Sequence, residues 1–174
     1  HGIVHCQITN PRILQGMKDQ DLLAYIQPVF IDLDMNTVEP AIGAHRMDKV
    51  YAWKSMLDMG IHTSGGSDAP VVSFDAMENI YFAVTRKNIS GQPQEGWIPS
   101  EKMSVDEAVK LFTKNAAYAS YTEDENGTIE VGKNADFVVI EKDIYEIDPD
   151  EIKTTKVDMT VLGGEIVYER EVEE

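Results

Sequence analysis

Short apolar segments alternate with stretches of helical periodicity over the first part of the chain. The β-rich segment 2–6 precedes Asn10, a favourable helix cap, and the proline that follows it predicts a helix over 11–19. Apolar runs at 22–30, with a proline near its far end, and at 61–64 are typical of further strands. Because parallel pairing requires a long crossover, strands separated by helices predict an α/β fold with a parallel sheet.

Three further helices are predicted from apolar residues at helical spacing. The first covers about 46–59 and ends before a glycine. Ser73 can cap the second, which carries a continuous apolar stripe. Ser104 and Glu107 have the capping-box pattern that opens the third, and its amphipathic spacing continues to about Tyr121.

The pattern changes from residue 123, where short β-type segments replace the helices. Residues 128–131 alternate in polarity, and 135–140 form a β-branched run. Residues 159–168 contain two strand-like segments joined by Gly163-Gly164, a strong signal for a two-residue hairpin loop. The tail is therefore predicted to be a small antiparallel β unit, distinct from the α/β body.

Composition and charge exclude several classes of protein. The chain has 174 residues, 43% of them hydrophobic, which is enough to bury a core. Asp and Glu number 31 against 15 Lys and Arg, and the resulting net charge of −16 repels phosphate backbones. No nucleic-acid partner is expected, and the acidic end at 169–174 is expected to be solvated.

Cysteine usage and hydropathy bear on the compartment. The single cysteine, Cys6, excludes an internal disulfide and fits a reducing, cytoplasmic location. No apolar run approaches the roughly 18 residues that span a bilayer, so we expect a soluble protein without membrane contact. The chain begins at His1, without an initiator Met and next to a predicted strand, which indicates a piece of a longer protein.

Two residues stand where predicted parallel strands end. His5 closes the first strand and Asp68 follows the strand at 61–64. Ligands bind beyond the carboxyl ends of such strands, so both side chains are expected at one site. An imidazole and a carboxylate suit a divalent cation, which could activate water while the carboxylate accepts its proton. Because a metal site requires at least three ligands, a purely structural role for both residues stays open.

Other candidate residues give weaker signals. Ser67 lies in a sequence close to the G-x-S-x-G nucleophile elbow, but that elbow leads directly into a helix, whereas residues 69–72 intervene here. Cys6 alternates with His5 along the strand and is expected to be packed rather than reactive. His45 lies just before a predicted helix, and His62 lies inside a predicted strand, where a structural hydrogen bond is expected.

These motifs resemble the C-terminal part of the amidohydrolase superfamily. They are most similar to the amidohydrolase family 3 branch, whose members include N-substituted formamide deformylase, D-aminoacylase relatives and proteins called exoenzyme regulatory protein. The resemblance covers essentially the whole chain in order. It is carried by His5-Cys6-Gln7, the Gln27-Pro28 strand, Gly66-Ser67-Asp68-Ala69-Pro70-Val71, and the tail motif that begins Gly127-Thr128-Ile129-Glu130 and ends Asp136-Phe137-Val138-Val139.

The resemblance implies a TIM-like (β/α)₈ barrel with a metal centre at its carboxyl face, flanked by a β-sandwich built from both chain ends. Residues 1–122 would supply barrel strands six to eight, and 123–174 the C-terminal part of the sandwich. His5 matches the histidine ligand after strand six. Asp68 matches the strand-eight aspartate, which binds metal and accepts a proton from the attacking water. The implied cofactor is a divalent metal of the Zn²⁺ type, and the implied substrate is a small molecule with a non-peptide C–N bond.

The chain departs from the family pattern in the ligands it lacks. The H-x-H pair of strand one, the strand-four lysine or glutamate and the strand-five histidine would all precede His1. Two ligands hold a metal poorly, so the fragment alone is expected to be inactive, and its open edges invite self-association. A noncatalytic binding or structural module and a serine hydrolase using Ser67 are the alternatives.

Overall fold

Three short strands in the first part of the chain form a parallel sheet. A computed structural model describes residues 1–171; the last part of the predicted solvated end, 172–174, lies outside the described residues. The strands are β1 (Gly2–Val4), β2 (Leu23–Ile26) and β3 (Thr63–Gly65), in the spatial order β1-β2-β3. Both pairings are parallel, which confirms the predicted α/β sheet.

Seven α-helices and three 3₁₀ helices accompany the strands within the described part of the chain. The α-helices are α1 (Pro11–Asp19), α2 (Phe30–Asp34), α3 (Val38–Ile42), α4 (Trp53–Asp58), α5 (Ala76–Thr85), α6 (Val105–Leu111) and α7 (Lys114–Ala119). The 3₁₀ helices cover Ala44–Lys49, Pro99–Glu101 and Pro149–Thr154. Two predicted caps are confirmed: the Asn10 side chain accepts from the amide of Ile13, and Ser104 and Glu107 form a capping box. None of these helices combines the length and apolar character needed to cross a bilayer.

The predicted helix over 46–59 is confirmed only in its second half. A 3₁₀ helix ends at Lys49, Val50 forms a β-bridge with Ile8, and α4 begins at Trp53. The amide of Tyr51 donates to the carbonyl of Gln7 at 2.7 Å. Pairing with the segment after β1 therefore overrides the local helical periodicity.

Three other boundaries differ from the sequence prediction. The strand predicted over 22–30 ends at Ile26, and α2 follows directly. The cap of α5 is Asp75 rather than Ser73; its carboxylate accepts from the amides of the first turn. The helix predicted to reach Tyr121 breaks after α6, at Phe112, whose ring packs so closely on Gly65 that a Cβ there would lie 2.7 Å from it.

The two faces of the parallel sheet differ in burial. Ala24, Ile26 and Thr63 are 0% exposed and belong to, or pack beside, the single core beneath the helices. On the opposite face Val4 is 56% exposed, and Leu23 and Tyr25 are half-buried. The contrast between the faces is therefore clear along β2 and weaker at its neighbours, since Ile3, level with Ala24, is 39% exposed and Ser64, level with Tyr25, is 4% exposed.

The tail forms the predicted antiparallel unit. Strands β4 (Phe137–Ile140), β5 (Val157–Leu162) and β6 (Glu165–Glu169) pair in that order. Gly163 and Gly164, with φ of 58° and 83°, form the predicted hairpin loop, since a type I′ turn requires positive φ at both positions.

The strand predicted at 128–131 is wrong. This segment is a bend and turn, and Ile129 is 85% exposed. Lys133 donates to the carbonyl of Glu123 at 2.7 Å, and the amide of Asn134 donates to the carbonyl of Glu125 at 2.9 Å. These bonds fold the segment back on itself as a loop instead of extending it along a neighbouring strand.

The connection between β4 and β5 packs on the α/β body. Ile144 and Ile152 are buried in the same core as the parallel sheet. Lys87 pairs with Asp150 at 2.7 Å, and Lys153 lies over the Tyr81 ring at 4.5 Å. The tail therefore shares its core with the body, and the predicted boundary after residue 122 stays a prediction.

Candidate metal centre

The carboxyl ends of the three parallel strands bring three polar residues to one edge of the sheet. His5 follows β1, Gln27 follows β2, and Asp68 lies three residues after β3. Since all three strands point the same way, these positions share the edge at which α/β proteins bind ligands. The strands that precede His5 and Asp68, β1 and β3, lie on either side of β2. These two strands are therefore about two strand spacings apart, roughly 10 Å.

The His5 side chain is held on two sides. Its Nδ1 lies 2.8 Å from Oε1 of Gln27, a residue that is only 6% exposed. Its ring stacks on Phe30 with 5.6 Å between ring centroids and 26° between planes. Gln27, directly after β2, and Phe30, at the start of α2, thus hold the imidazole that follows β1.

The backbone at His5 is strained. Its φ is +71°, and the amide of Cys6 donates to the carbonyl of Val4 at 3.0 Å, which closes a γ-turn centred on His5. This γ-turn with positive central φ is a rare conformation, and such strain persists only where the surroundings enforce it. Here the His5 amide donates to the carbonyl of Tyr25 at 2.7 Å, which ties the turn to β2.

Cys6, the last residue of this turn, is buried, as expected. Its Sγ donates to the carbonyl of Ile3 at 3.2 Å, and burial raises the pKa of the thiol to about 11. The thiolate is the nucleophilic form, so a thiol that stays protonated is a packing residue.

Asp68 contrasts with His5 in being exposed. Its φ is +60°, and within residues 1–171 its carboxylate has no hydrogen-bond or ion-pair partner. Ser67 beside it accepts a hydrogen bond from the amide of Ala69 at 3.3 Å. No histidine in the described part of the chain hydrogen-bonds to the Ser67 hydroxyl, and β3 is followed by a loop until Ala76 instead of the helix that a nucleophile elbow requires.

The other histidines lie apart from this edge. His62 precedes β3, at the opposite end of the strand, where its Nε2 lies 3.1 Å from the carbonyl oxygen of Asn115. Its ring packs on Tyr118 with centroids 3.9 Å apart. His45 is exposed in the 3₁₀ helix after α3. The structural role expected for His62 is confirmed.

A polar network behind the His5 turn has no signal in the sequence. Gln7 donates to Oδ2 of Asp34 at 2.9 Å, and the Tyr51 hydroxyl donates to the same oxygen. Burial and this hydrogen bond raise the pKa of Tyr51. Arg86 donates from Nη1 to the carbonyl of Tyr51 at 3.0 Å, and burial lowers the pKa of its guanidinium to about 10.

Arg86 is enclosed by aromatic rings. Its Cζ lies 5.1 Å from the ring centroid of Trp53 and 5.4 Å from that of Trp97, within the range of cation–π attraction. Glu101, itself 3% exposed, supplies a nearby negative charge. The buried cation and its rings anchor Tyr51, and through it the loop that follows His5.

The chemistry of the donors at this edge fits part of a metal site. An imidazole nitrogen and a carboxylate oxygen both bind Zn²⁺-type cations. His5 has one ring nitrogen engaged by Gln27 and the other, Nε2, without a partner among residues 1–171. No cluster of three or more His, Cys, Asp or Glu side chains in that range could hold a metal ion, so these two donors form an incomplete set.

Comparison with known proteins identifies the family. The amidohydrolase family matches residues 1–168, nearly the whole chain. The chain belongs to the amidohydrolase family. This confirms the resemblance carried by the sequence motifs, and the structure is an α/β fold with one parallel and one antiparallel sheet.

Two curated relatives show how much of the chain, and of a longer protein, the similarity covers. The Bacillus subtilis (strain 168) protein YtcJ, named as an amidohydrolase, is 34% identical over 168 residues, which cover 97% of this chain and 32% of YtcJ. N-substituted formamide deformylase from Arthrobacter pascens is 35% identical over 122 residues, or 70% of this chain and 22% of that protein. This amidohydrolase chain therefore spans about a third or less of the length of the curated relatives it matches.

Solved structures show the same fold. A metal-dependent hydrolase from Pyrococcus horikoshii OT3 superposes with a TM-score of 0.76 at 21% identity, covering 85% of this chain and 30% of that one. A mutant of atrazine chlorohydrolase TrzN from Arthrobacter aurescens TC1, complexed with zinc and atraton, gives a TM-score of 0.65 at 18% identity, covering 97% and 36%. Proteins of this fold include metal-dependent hydrolases, one of them solved with zinc.

Proposed function

We propose that this chain is the C-terminal part of a metal-dependent amidohydrolase that uses activated water to hydrolyse a C–N bond in a small molecule. The observation that carries the proposal is the position of His5 and Asp68, each beyond the carboxyl end of a strand in one parallel sheet. Membership of the amidohydrolase family supports the reaction class. The name of the formamide deformylase relative supports a non-peptide C–N bond.

The two residues would have different roles. His5 would offer Nε2 to the metal, because Nδ1 faces Gln27. Asp68 would bind the metal and accept the proton of the attacking water on a carboxylate oxygen. When bound, a divalent cation of the Zn²⁺ type would supply the Lewis acidity that makes water nucleophilic near neutral pH and polarises the substrate carbonyl. The remaining ligands would come from other parts of the protein.

The proposed architecture divides the chain after residue 122. Residues 1–122 would form strands six to eight of a (β/α)₈ barrel, and 123–174 the C-terminal part of a flanking β-sandwich. The sheet order and the open face at Val4 support a barrel that other strands complete. We propose a cytoplasmic location. Without the other strands of the barrel, the exposed strand edges would lead the chain to associate with itself.

The complete gene product tests the proposal. Asp68→Asn should lower hydrolysis of N-substituted formamides or N-acyl amino acids by about 10²- to 10⁴-fold, the usual contribution of a general base. His5→Ala should lower the metal content measured by mass spectrometry. Asp124→Asn is a matched control, since that aspartate is also exposed and has no partner among the described residues. Full activity of Asp68→Asn would refute the proposed proton acceptor.

A noncatalytic binding or structural module is the second candidate. The observation that favours it is the incomplete donor set within residues 1–171. A complete gene product that folds, binds no metal and hydrolyses none of these substrates would establish the module in place of the enzyme.

A further inference from the structure

The amide of Gln27 has a defined orientation. Its Nε2 faces the carbonyl oxygen of Tyr25 at 3.5 Å, while its Oε1 faces His5 Nδ1 at 2.8 Å. A carbonyl oxygen can only accept, so the reversed amide would place two acceptors against each other at Tyr25. The oxygen therefore belongs on the His5 side.

This orientation determines which nitrogen of His5 carries the proton. A neutral imidazole has one donor nitrogen and one acceptor nitrogen. Because Oε1 of Gln27 accepts, Nδ1 of His5 must donate, and the lone pair is left on Nε2. A histidine that binds a metal generally donates its other ring N–H to a fixed acceptor, which sets the tautomer and the ring orientation.

Gln27 is fixed well enough to impose this choice. It is 6% exposed, directly follows β2, and its carbonyl accepts from the amide of Phe30 at 3.0 Å. Phe30 packs on the imidazole, and the strained turn at His5 presents the ring from the other strand. Packing orients the ring plane, but of these contacts only the Gln27 amide distinguishes one ring nitrogen from the other.

We propose that Gln27 is a positioning residue that holds His5 in the Nδ1–H tautomer and so reserves Nε2 as the metal-binding nitrogen. The metal-binding part rests on the proposed function, whereas the tautomer is a property of this chain alone. Isolated neutral imidazoles favour the opposite, Nε2–H form, so the effect of Gln27 is measurable without metal or substrate.

Two other histidines of the chain serve as controls for the tautomer of His5. The Nε2 of His62 lies against the carbonyl oxygen of Asn115, so His62 must donate from Nε2. His5 and His62 should therefore have opposite tautomers in one molecule. His45, which is exposed, serves as the reference for an imidazole that its surroundings do not bias.

Nitrogen-15 NMR of the histidine rings in the 174-residue chain tests the proposal, at a pH where the rings are neutral. The chemical shifts distinguish a protonated from an unprotonated ring nitrogen. We expect the proton on Nδ1 in His5, on Nε2 in His62, and the Nε2–H-rich mixture of a free imidazole in His45. An Nε2–H form at His5 in the wild-type chain would overturn the proposal.

Three variants separate the hydrogen bond from packing. Gln27→Met fills the space without an acceptor and should shift His5 to the mixture seen at His45, whereas Gln27→Glu keeps an acceptor oxygen and should preserve Nδ1–H. Phe30→Leu removes the stacked ring and should also preserve it. The unchanged His62 signature verifies the fold in each case. Retention of Nδ1–H in a folded Gln27→Met variant, or its loss in Phe30→Leu, would overturn the assignment to Gln27.

Metal affinity of the complete gene product gives a second measurement. Gln27→Met should weaken Zn²⁺ binding about 10- to 100-fold in a chelator competition, the usual effect of removing such a partner, and Gln27→Glu should restore most of it. Unchanged affinity in Gln27→Met would overturn the metal-positioning role. If the His5 tautomer is as expected but His5→Ala binds zinc normally, the proposed function fails while the tautomer assignment stands.

Discussion

The two strand ends that carry the candidate ligands differ in how firmly the fold holds them. At the end of β1, His5 is fixed by Gln27, Phe30 and a strained turn. At the end of β3, Asp68 is exposed and has no side-chain partner within residues 1–171. The difference is chemically sensible, because an imidazole has two inequivalent nitrogens and one must be selected. A carboxylate has two equivalent oxygens, so only its reach needs to be set.

The largest expected contrast is in stability. Ile26, at the end of β2 and 0% exposed, should cost about 2–5 kcal/mol when replaced by alanine, because a cavity remains beneath the sheet. Phe74, in the loop after Asp68 and 86% exposed, should cost less than about 0.5 kcal/mol in the same change. Urea unfolding of both variants measures the difference. Equal losses would show that the loop after β3 is packed as firmly as β2.

The two candidate ligands should repeat this contrast on a smaller scale. His5→Ala removes a stacked ring and leaves the buried Gln27 amide without its partner, which should cost about 1–3 kcal/mol. Asp68→Asn should change the free energy of unfolding by less than about 0.5 kcal/mol, since asparagine tolerates positive φ and the site is exposed. A destabilised Asp68→Asn variant would indicate partners for that carboxylate.

The thiol beneath the His5 turn should make stability fall in alkali. The pKa of Cys6 rises from 9.0 to about 11 on folding, so the unfolded chain loses its proton first. Stability from this burial is therefore complete below about pH 9 and is lost as the pH rises toward 11. Between pH 8 and 10.5 the wild-type chain should lose up to about 2 kcal/mol more than Cys6→Ala. Parallel curves for the two proteins would contradict a buried, protonated thiol.

Local signals in the sequence predicted the elements whose stabilising contacts are also local. Asn10 caps α1, Ser104 and Glu107 form their box, and Gly163-Gly164 turns the hairpin. The first half of the helix predicted over 46–59 is not an α-helix, because Val50 and Tyr51 pair with the segment after β1, far away in sequence. Periodicity cannot detect such pairing.

The residues of the candidate site also differ in whether local sequence signals reveal them. His5 and Asp68 could be proposed from the sequence because each follows a recognisable strand. Gln27 belongs to one of the motifs that carry the family resemblance, but its role could not be proposed from the sequence, since only the parallel pairing of β1 and β2 places it beside the imidazole. Arg86 gave no signal either, because its partners Trp53 and Trp97 come from separate segments.

A crystal structure of the complete gene product grown with zinc would show whether His5 and Asp68 bind one metal ion. We expect an anomalous-scattering peak about 2.0–2.2 Å from both Nε2 of His5 and a carboxylate oxygen of Asp68, with Nδ1 still bonded to Gln27. Zinc bound through Nδ1, or bound away from both residues, would contradict this expectation.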